Sequence, residues 1–303
     1  MPEPDPPEGW VVVEVRAAAL NHHDVWSLRG TGLSEERVPM ILGCDAAGFD
    51  PDGNEVIVHC VVSSPEWRGD ETLDPAMSLL SERHPGTLAE RVAVPARNLV
   101  PKPAALSFEQ AACLPTAWLT AYRMLFTRGR LEPGQTVLVQ GAGGGVASAA
   151  IALGRAAGLR VWATSREQRK RELATELGAA AVFEPGARLP ERVDAVMETV
   201  GEATWRHSVR SLKPGGRLVV AGGTSGLQPP AELPHIFFRQ LDVLGSTMGT
   251  LEELRQLVAM VEETGVRPRI DRTVPLAETA NGIEAMVAGE LLGKVVVRVG
   301  EVA

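Results

Sequence analysis

Short apolar runs punctuated by glycine and proline fill the first hundred residues, at 11–15, 55–62 and 91–94. Runs of this length between turn residues predict strands, and together a compact β domain. Residues 63–86, SSPEWRGDETLDPAMSLLSERHPG, break the pattern and are expected to form a surface insertion or lid. At Ser107 the period changes. Ser107 with Gln110 three positions on makes a capping box, and an Ala- and Leu-rich helix is expected from there to residue 128, kinked at Pro115. From residue 135 strands and helices alternate, with strands at 137–140, 160–164, 181–183, 194–198, 217–221 and 241–245. Helices are expected from Gly144, over 166–177, over 203–212 and just before Gln240. Strands joined by crossover helices in this way predict a doubly wound parallel sheet, since such crossovers are right-handed almost without exception. Thr250 with Glu253 caps a further helix, and IDRTVPL, a helix over 277–288 and GKVVVRV close the chain. That tail holds more strand material than the six-stranded sheet requires. It is expected to return to the N-terminal domain, which gives one domain of 1–119 with 249–303 and another of 120–248.

The length of 303 residues agrees with two cores. Hydrophobic residues make up 45% and charged residues 22%, and no apolar run is long enough to cross a bilayer, so a soluble globular protein without membrane insertion is expected. A formal net charge of -8 argues against nucleic acid as a partner, because phosphate backbones select strongly basic faces. Cys44, Cys60 and Cys113 are too few and too scattered for a disulfide framework, and the start MPEPDPPEGW lacks the layout of a signal peptide. A cytoplasmic location is the expectation.

The segment TVLVQGAGGGVASAAIALGRAAG places a strand, a glycine turn and a helix of small residues in series. Glycine lets such a turn close and lets the backbone approach a pyrophosphate, whose charge meets the N-terminal end of the helix. Gly141, Gly143, Gly144, Gly145 and Val146 are therefore candidate dinucleotide-binding residues. An acid at the end of the second strand would bind the adenosine ribose and select NAD, but that place reads ATSREQRKRE, with Ser165 where the acid would stand. Arg166 and Lys170, four apart, face the same side of a helix and would clamp a 2′-phosphate. The plainer alternative is a solvated charged face. The missing acid favours NADPH.

Taken in order, ALNHHDVW, ILGCDAAG, GTLAERVAVPARNL, LSFEQAACLPTAWLTAYRML, GQTVLVQGAGGGVA, FFRQLDVLGSTMGT and GKVVVRV resemble the medium-chain dehydrogenase/reductase superfamily, especially its quinone-reductase-like members. The resemblance implies an α/β protein, a GroES-like β domain joined to a Rossmann domain. Relatives carry a further β-hairpin before the strand matching GWVVVEVRAA, which leaves either a misassigned start or a barrel open at one edge. Zinc-dependent members take their catalytic ligands at places that fall on Asn21, Cys44 and Thr116, and only Cys44 among these binds zinc readily. The cysteine lobe that holds a structural zinc would fall in 63–86, which has no cysteine. His22 and His23, if extended, point to opposite faces and cannot share an ion. No metal is expected.

Without zinc, hydride transfer to an already electrophilic acceptor is the natural chemistry, either a quinone or an α,β-unsaturated carbonyl. The resemblance gives Asn21 a hydrogen bond to the acceptor oxygen or a nicotinamide ribose, with a turn cap as the plainer alternative, and puts Thr120 beside the nicotinamide. If a proton donor is needed, His23, Asp24 or water is the candidate. Trp26, Cys44 and Trp118 are candidate pocket walls, with a core role for the tryptophans as the alternative. Val200, Gly201, Gly222, Gly223 and Thr224, after the fourth and fifth strands of the series, are expected near the nicotinamide half. The partners expected are a small-molecule acceptor and a second copy of the chain, paired through the edge strand 241–245. A zinc-type alcohol dehydrogenase-like enzyme and a non-catalytic NADPH-binding sensor remain open as alternatives.

Overall fold

The computed structural model describes residues 3–300. The chain divides into two compact units, Met1–Leu119 with Met248–Ala303, and Thr120–Thr247. The first unit begins with β1 (Trp10–Ala19), α1 (His22–Leu28), β2 (Asp45–Phe49), β3 (Glu55–Val58), β4 (Val61–Val62), β5 (Ser78–Leu79), β6 (Arg91–Pro95) and β7 (Leu99–Pro101). Next come α2 (Phe108–Ala112), a π-helical turn over Leu114–Trp118 and α3 (Leu119–Tyr122). The wide turn holds Pro115, which has no N–H to give a regular helix. The second unit contains β8 (Thr136–Gln140), α4 (Gly145–Ala156), β9 (Arg160–Thr164), α5 (Gln168–Glu176), β10 (Ala181–Phe183) and β11 (Val193–Glu198). It continues through α6 (Glu202–Ser211), β12 (Leu212–Val220), α7 (Leu233–Arg239) and β13 (Asp242–Gly245). The chain then returns to the first unit with α8 (Leu251–Thr264), β14 (Ile270–Pro275), α9 (Thr279–Val287) and β15 (Lys294–Arg298).

In the first unit the sheet runs β14-β15-β1-β2-β3-β7, with β6 on the other half of β1. β1 is long enough to serve two partners. Trp10 to Glu14 pair with β6, and from Glu14 onward the strand pairs with β2, with an irregularity between Val15 and Ala17. The tail strand β15 pairs antiparallel with β1, Ala18 opposite Val297. Val13, Val15, Ala46, Val58, Val92, Val295 and Val297 supply the core.

Two expectations need correction here. Residues 63–86 do not form a separate lid: β5 pairs with β4, Leu79 and Leu80 are 8% and 0% exposed, and both belong to the core. Their two adjacent leucines are enough apolar area to anchor the segment, which a polar average over 24 residues conceals. Residues 22–24 are also helical rather than extended, because the Asp24 carboxylate accepts the Asn21 backbone N–H at 2.8 Å and starts α1 there.

The second unit is a six-stranded parallel sheet in the order β10-β9-β8-β11-β12-β13. Chain order reverses between β8 and β11, the place where open α/β sheets leave a crevice beyond their strand ends. Both the glycine turn and the loop after β11 lie at that switch point. No helix among the described residues is long and apolar enough to cross a membrane.

Candidate functional site

In the second unit three loops gather at the carboxyl ends of the strands. The turn after β8 opens on Gly141 at φ +88°, a left-handed conformation that favours glycine, and its N–H donates to Thr164 Oγ1 at 3.3 Å. Gly143 follows, Gly144 is extended at the helix N-cap, and Gly145 and Val146 begin α4. No side chain caps α4, so its first N–H groups are left to an anionic ligand or to water. The loop after β11 carries Val200 and Gly201, and a Cβ on Gly141 would stand 3.7 Å from Val200. Gly201 has φ +92°, and a side chain there would collide with the Gly226 carbonyl at 2.3 Å. This is because the loop after β12, with Gly222, Gly223 and Thr224, packs directly on it: Ser225 N–H donates to Val200 O at 2.7 Å and Thr224 N–H to Thr199 O at 3.3 Å.

Past β9, Ser165 is buried, and its hydroxyl accepts the Glu167 N–H at 3.3 Å. Arg166 is exposed and has no ion-pair partner among the described residues. Lys170 does have one: its ammonium lies on Glu167, which also takes Arg169 at 2.8 Å. The Lys170 hydrogen bond holds the Glu167 carboxyl below its ordinary range. The expected clamp is therefore half free, with Arg166 available and Lys170 shared.

In the first unit a buried polar cluster surrounds Asn21. Its amide donates to Asp45 Oδ2 at 2.8 Å and to Ala19 O at 3.3 Å, while its oxygen accepts from Lys294 Nζ at 2.6 Å. Lys294 also donates to Leu20 O at 2.8 Å and pairs with Asp45 at 3.2 Å, with side chains 3% and 0% exposed. Asn21 thus has no donor left for an acceptor oxygen, which corrects the contact the resemblance implies. Asp24 is corrected as well. Its two oxygens accept the N–H groups of Asn21 and Gly43, at 2.8 and 3.1 Å, and it is 0% exposed. Burial pushes its pKa up to about 6, but a carboxyl shut away from solvent and tied to backbone shapes the turn rather than delivering a proton.

His23 is held at both ends, Nε2 at 3.0 Å from Glu82 Oε1 and Nδ1 at 3.5 Å from Cys44 Sγ. Neither nitrogen is left for an acceptor. Cys44 is fully buried and donates to Leu80 O at 3.3 Å. A hydrogen bond with Cys60, together with burial, raises its thiol well above the ordinary range, so it is no nucleophile. Cys60 in turn lies 3.7 Å from Thr116 Oγ1. Trp118 is 1% exposed and is core rather than pocket wall, while Trp26 is exposed on α1 with Arg29 5.4 Å above its ring. Thr120 is buried at the start of the second unit.

The places that zinc would take do not fit it. Asn21 is spent on Asp45 and Lys294, Thr116 and Cys60 face one another, and a buried ammonium already neutralises the local acid. Among the described residues no three His, Cys, Asp or Glu side chains could hold a metal ion. Lys294, Cys60, Glu82 and Glu198 were not singled out from the sequence. Lys294 had a signal, a cation at the head of the apolar run GKVVVRV, since a charge on a buried strand must have a partner.

Residues 7–104 match the alcohol dehydrogenase GroES-like domain, and residues 145–263 match the zinc-binding dehydrogenase domain. A crotonyl-CoA carboxylase/reductase from Cereibacter sphaeroides is 29% identical over 322 residues, covering 88% of this chain and 75% of that protein. The crystal structure of an NAD-dependent alcohol dehydrogenase superposes with a TM-score of 0.92 at 34% identity, covering 99% of this chain and 94% of the other. A 2-octenoyl-CoA carboxylase reductase in complex with NADP and 2-octenoyl-CoA gives a TM-score of 0.90 at 26% identity, covering 99% and 81%. Two family domains in this order, and likeness along nearly the whole length, show that the chain belongs to the medium-chain dehydrogenase/reductase superfamily and is an oxidoreductase of that kind.

Proposed function

We propose that the protein is an NADPH-dependent oxidoreductase that delivers hydride, without a metal, to an α,β-unsaturated carbonyl or a quinone. The observation that carries the reading is that Asn21 and Thr116 stand at two of the three places that supply zinc ligands in zinc-dependent relatives, with the Asn21 amide already held by Asp45 and Lys294 and the Thr116 hydroxyl by Cys60. Unable to polarise an alcohol or a plain carbonyl with a metal, the site suits an acceptor that is electrophilic already. Relatives named for crotonyl-CoA and 2-octenoyl-CoA favour a conjugated thioester over a quinone.

When bound, the dinucleotide supplies the hydride. The first turn of α4 and the Gly141 turn would hold its pyrophosphate, and the loops at Val200–Gly201 and Gly222–Thr224, with Thr120, would hold its nicotinamide half. Arg166 would receive the 2′-phosphate, with Lys170 on the same helix face beside it. NADP in one related structure supports this choice, whereas the other related structure is that of an NAD-dependent enzyme. With His23, Asn21 and Asp24 all committed, the proton for the reduced carbon comes from water. A homodimer is part of the proposal: β13 ends the sheet, Val243 on it is 43% exposed, and the neighbouring Phe237 and Phe238 of α7 are 59% and 79% exposed.

The test is oxidation of NADPH and of NADH against enoyl thioesters, enones and quinones, with metal analysis of the same sample. Enone or enoyl turnover that prefers NADPH and needs no metal supports the reading. Alcohol oxidation by a stoichiometric zinc enzyme overturns it, and tight NADPH binding without turnover of any acceptor favours a sensor instead.

A further inference from the structure

A chain of buried hydrogen bonds joins two of the three cofactor loops of the second unit. Gly141 N–H donates to Thr164 Oγ1 at 3.3 Å, and that hydroxyl donates to Gln140 Oε1 at 2.6 Å. Gln140 Nε2 donates to Ser208 Oγ at 2.9 Å, and Ser208 donates to Glu198 Oε2 at 2.5 Å. The other carboxylate oxygen, Glu198 Oε1, accepts Val200 N–H at 2.8 Å and Gly201 N–H at 3.1 Å, and Thr204 Oγ1 lies 2.9 Å from each oxygen. The chain thus begins at the pyrophosphate turn, passes the end of β9 and finishes on the loop after β11. Gln140, Glu198 and Ser208 are 0% exposed and Thr164 is 1% exposed.

A carboxylate fills a sheet interior only at a large desolvation cost unless its lone pairs are matched. Packing alone would be served better by leucine. What the polar chain supplies is direction: each hydroxyl and amide has one arrangement that satisfies its neighbours, so the two loops cannot shift independently. His207 fixes the sense of the chain. Its Nε2 faces Ala187 O at 2.9 Å and therefore carries the proton, which leaves Nδ1, 3.0 Å from Gln140 Nε2, to accept.

We propose that Glu198, Ser208, Gln140 and Thr164 are positioning residues that lock the pyrophosphate turn to the nicotinamide-side loop, so that both halves of a dinucleotide meet one preformed cradle. The inference rests on the dinucleotide-binding part of the function proposed above. It does not depend on the 2′-phosphate or on the acceptor.

Ser208→Ala cuts the chain. It leaves one hydrogen of the Gln140 amide without an acceptor, the other keeping His207 Nδ1, and it takes one donor from Glu198, which keeps the Thr204 hydroxyl, so a lower apo Tm is expected and is read beside the binding. The experiment titrates NADPH and NADH, and separately the half-ligands 2′,5′-ADP and ADP, into wild type, Ser208→Ala and Ser208→Thr, with apo Tm recorded for each. Coupling predicts that Ser208→Ala weakens the better-bound dinucleotide about tenfold while its half-ligand binds within about twofold of wild type, and that Ser208→Thr restores the whole dinucleotide. A merely structural hydroxyl would weaken whole and half alike, and that outcome, or no change in either, overturns the proposal. Hydrogen exchange on wild type gives a reading that does not depend on the variant folding. The half-ligand should slow exchange at the Val200 and Gly201 amides, and unchanged exchange there sinks the idea. If wild type binds neither dinucleotide, the proposed function fails first and this inference with it. Weak enoyl turnover with the coupling intact would instead remove the acceptor reading alone.

Discussion

His59 should make the first unit sensitive to acid. Its side chain is fully buried, and neither ring nitrogen has a hydrogen-bond partner among the described residues, although its backbone bonds normally to Asn98. Burial, with the charge of Arg255 on α8 as a lesser cause, lowers its pKa to about 3 from an ordinary 6.5. The folded state therefore keeps His59 neutral while the unfolded chain takes up a proton below 6.5. The stabilisation is complete above that pH and is lost progressively as pH falls toward 3. One pKa unit is worth about 1.4 kcal/mol, so a drop from pH 7 to pH 5 spends about 1.5 units, or about 2 kcal/mol. His59→Leu removes the titration at nearly constant volume and leaves no partner behind, so at pH 7 it should stay within about 1 kcal/mol of wild type. Urea unfolding of both proteins at the two pH values measures the difference. Wild type should lose about 2 kcal/mol more than the variant between pH 7 and pH 5. Equal losses would mean that His59 is solvated or paired in solution, and the reasoning would be wrong.

Other outcomes follow from the same geometry. Lys294→Met strands Asp45 in a buried site and should cost about 3–5 kcal/mol, read as a fall in Tm, with much of it recovered when Asp45→Leu is added. Gly201→Ala forces a Cβ against the Gly226 carbonyl in a left-handed backbone, so it should destabilise the second unit by about 1–3 kcal/mol and weaken dinucleotide binding in calorimetry. Arg166→Ala should weaken NADPH about tenfold without weakening NADH, read by titration of each dinucleotide. Val243→Lys on the exposed edge of β13 should turn a dimer into a monomer on gel filtration; an unchanged elution volume would rule that edge out as the interface.

The periodicity of the chain carried the architecture. Strands that alternate with helices after residue 135, a glycine turn between a strand and a helix, and capping boxes at Ser107 and Thr250 are local signals, and each is present in the structure with the capping distances intact. Loop burial was less legible. Residues 63–86 read as a lid by composition, yet Leu79 and Leu80 tie them into the core, because burial depends on a few apolar side chains and not on an average. A capping role for Asn21 was legible as the plain alternative to an acceptor contact, but the helix that it starts at His22 was not.

The sequence by itself determined which chemical groups were at hand: glycines for a pyrophosphate turn, Ser165 in place of an acid, and Asn21 and Thr116 in place of metal ligands. Only the tertiary structure decided how those groups spend their hydrogen bonds. Lys294 lies 273 positions from Asn21 along the chain, yet its ammonium takes up the Asn21 amide oxygen while the amide N–H groups go to Asp45 and Ala19. Ser208 and Gln140, 68 positions apart, complete the chain beneath the cofactor loops. A side chain's role follows from the partner it satisfies, and partners this distant in sequence are set by strand order and burial, which no local pattern encodes.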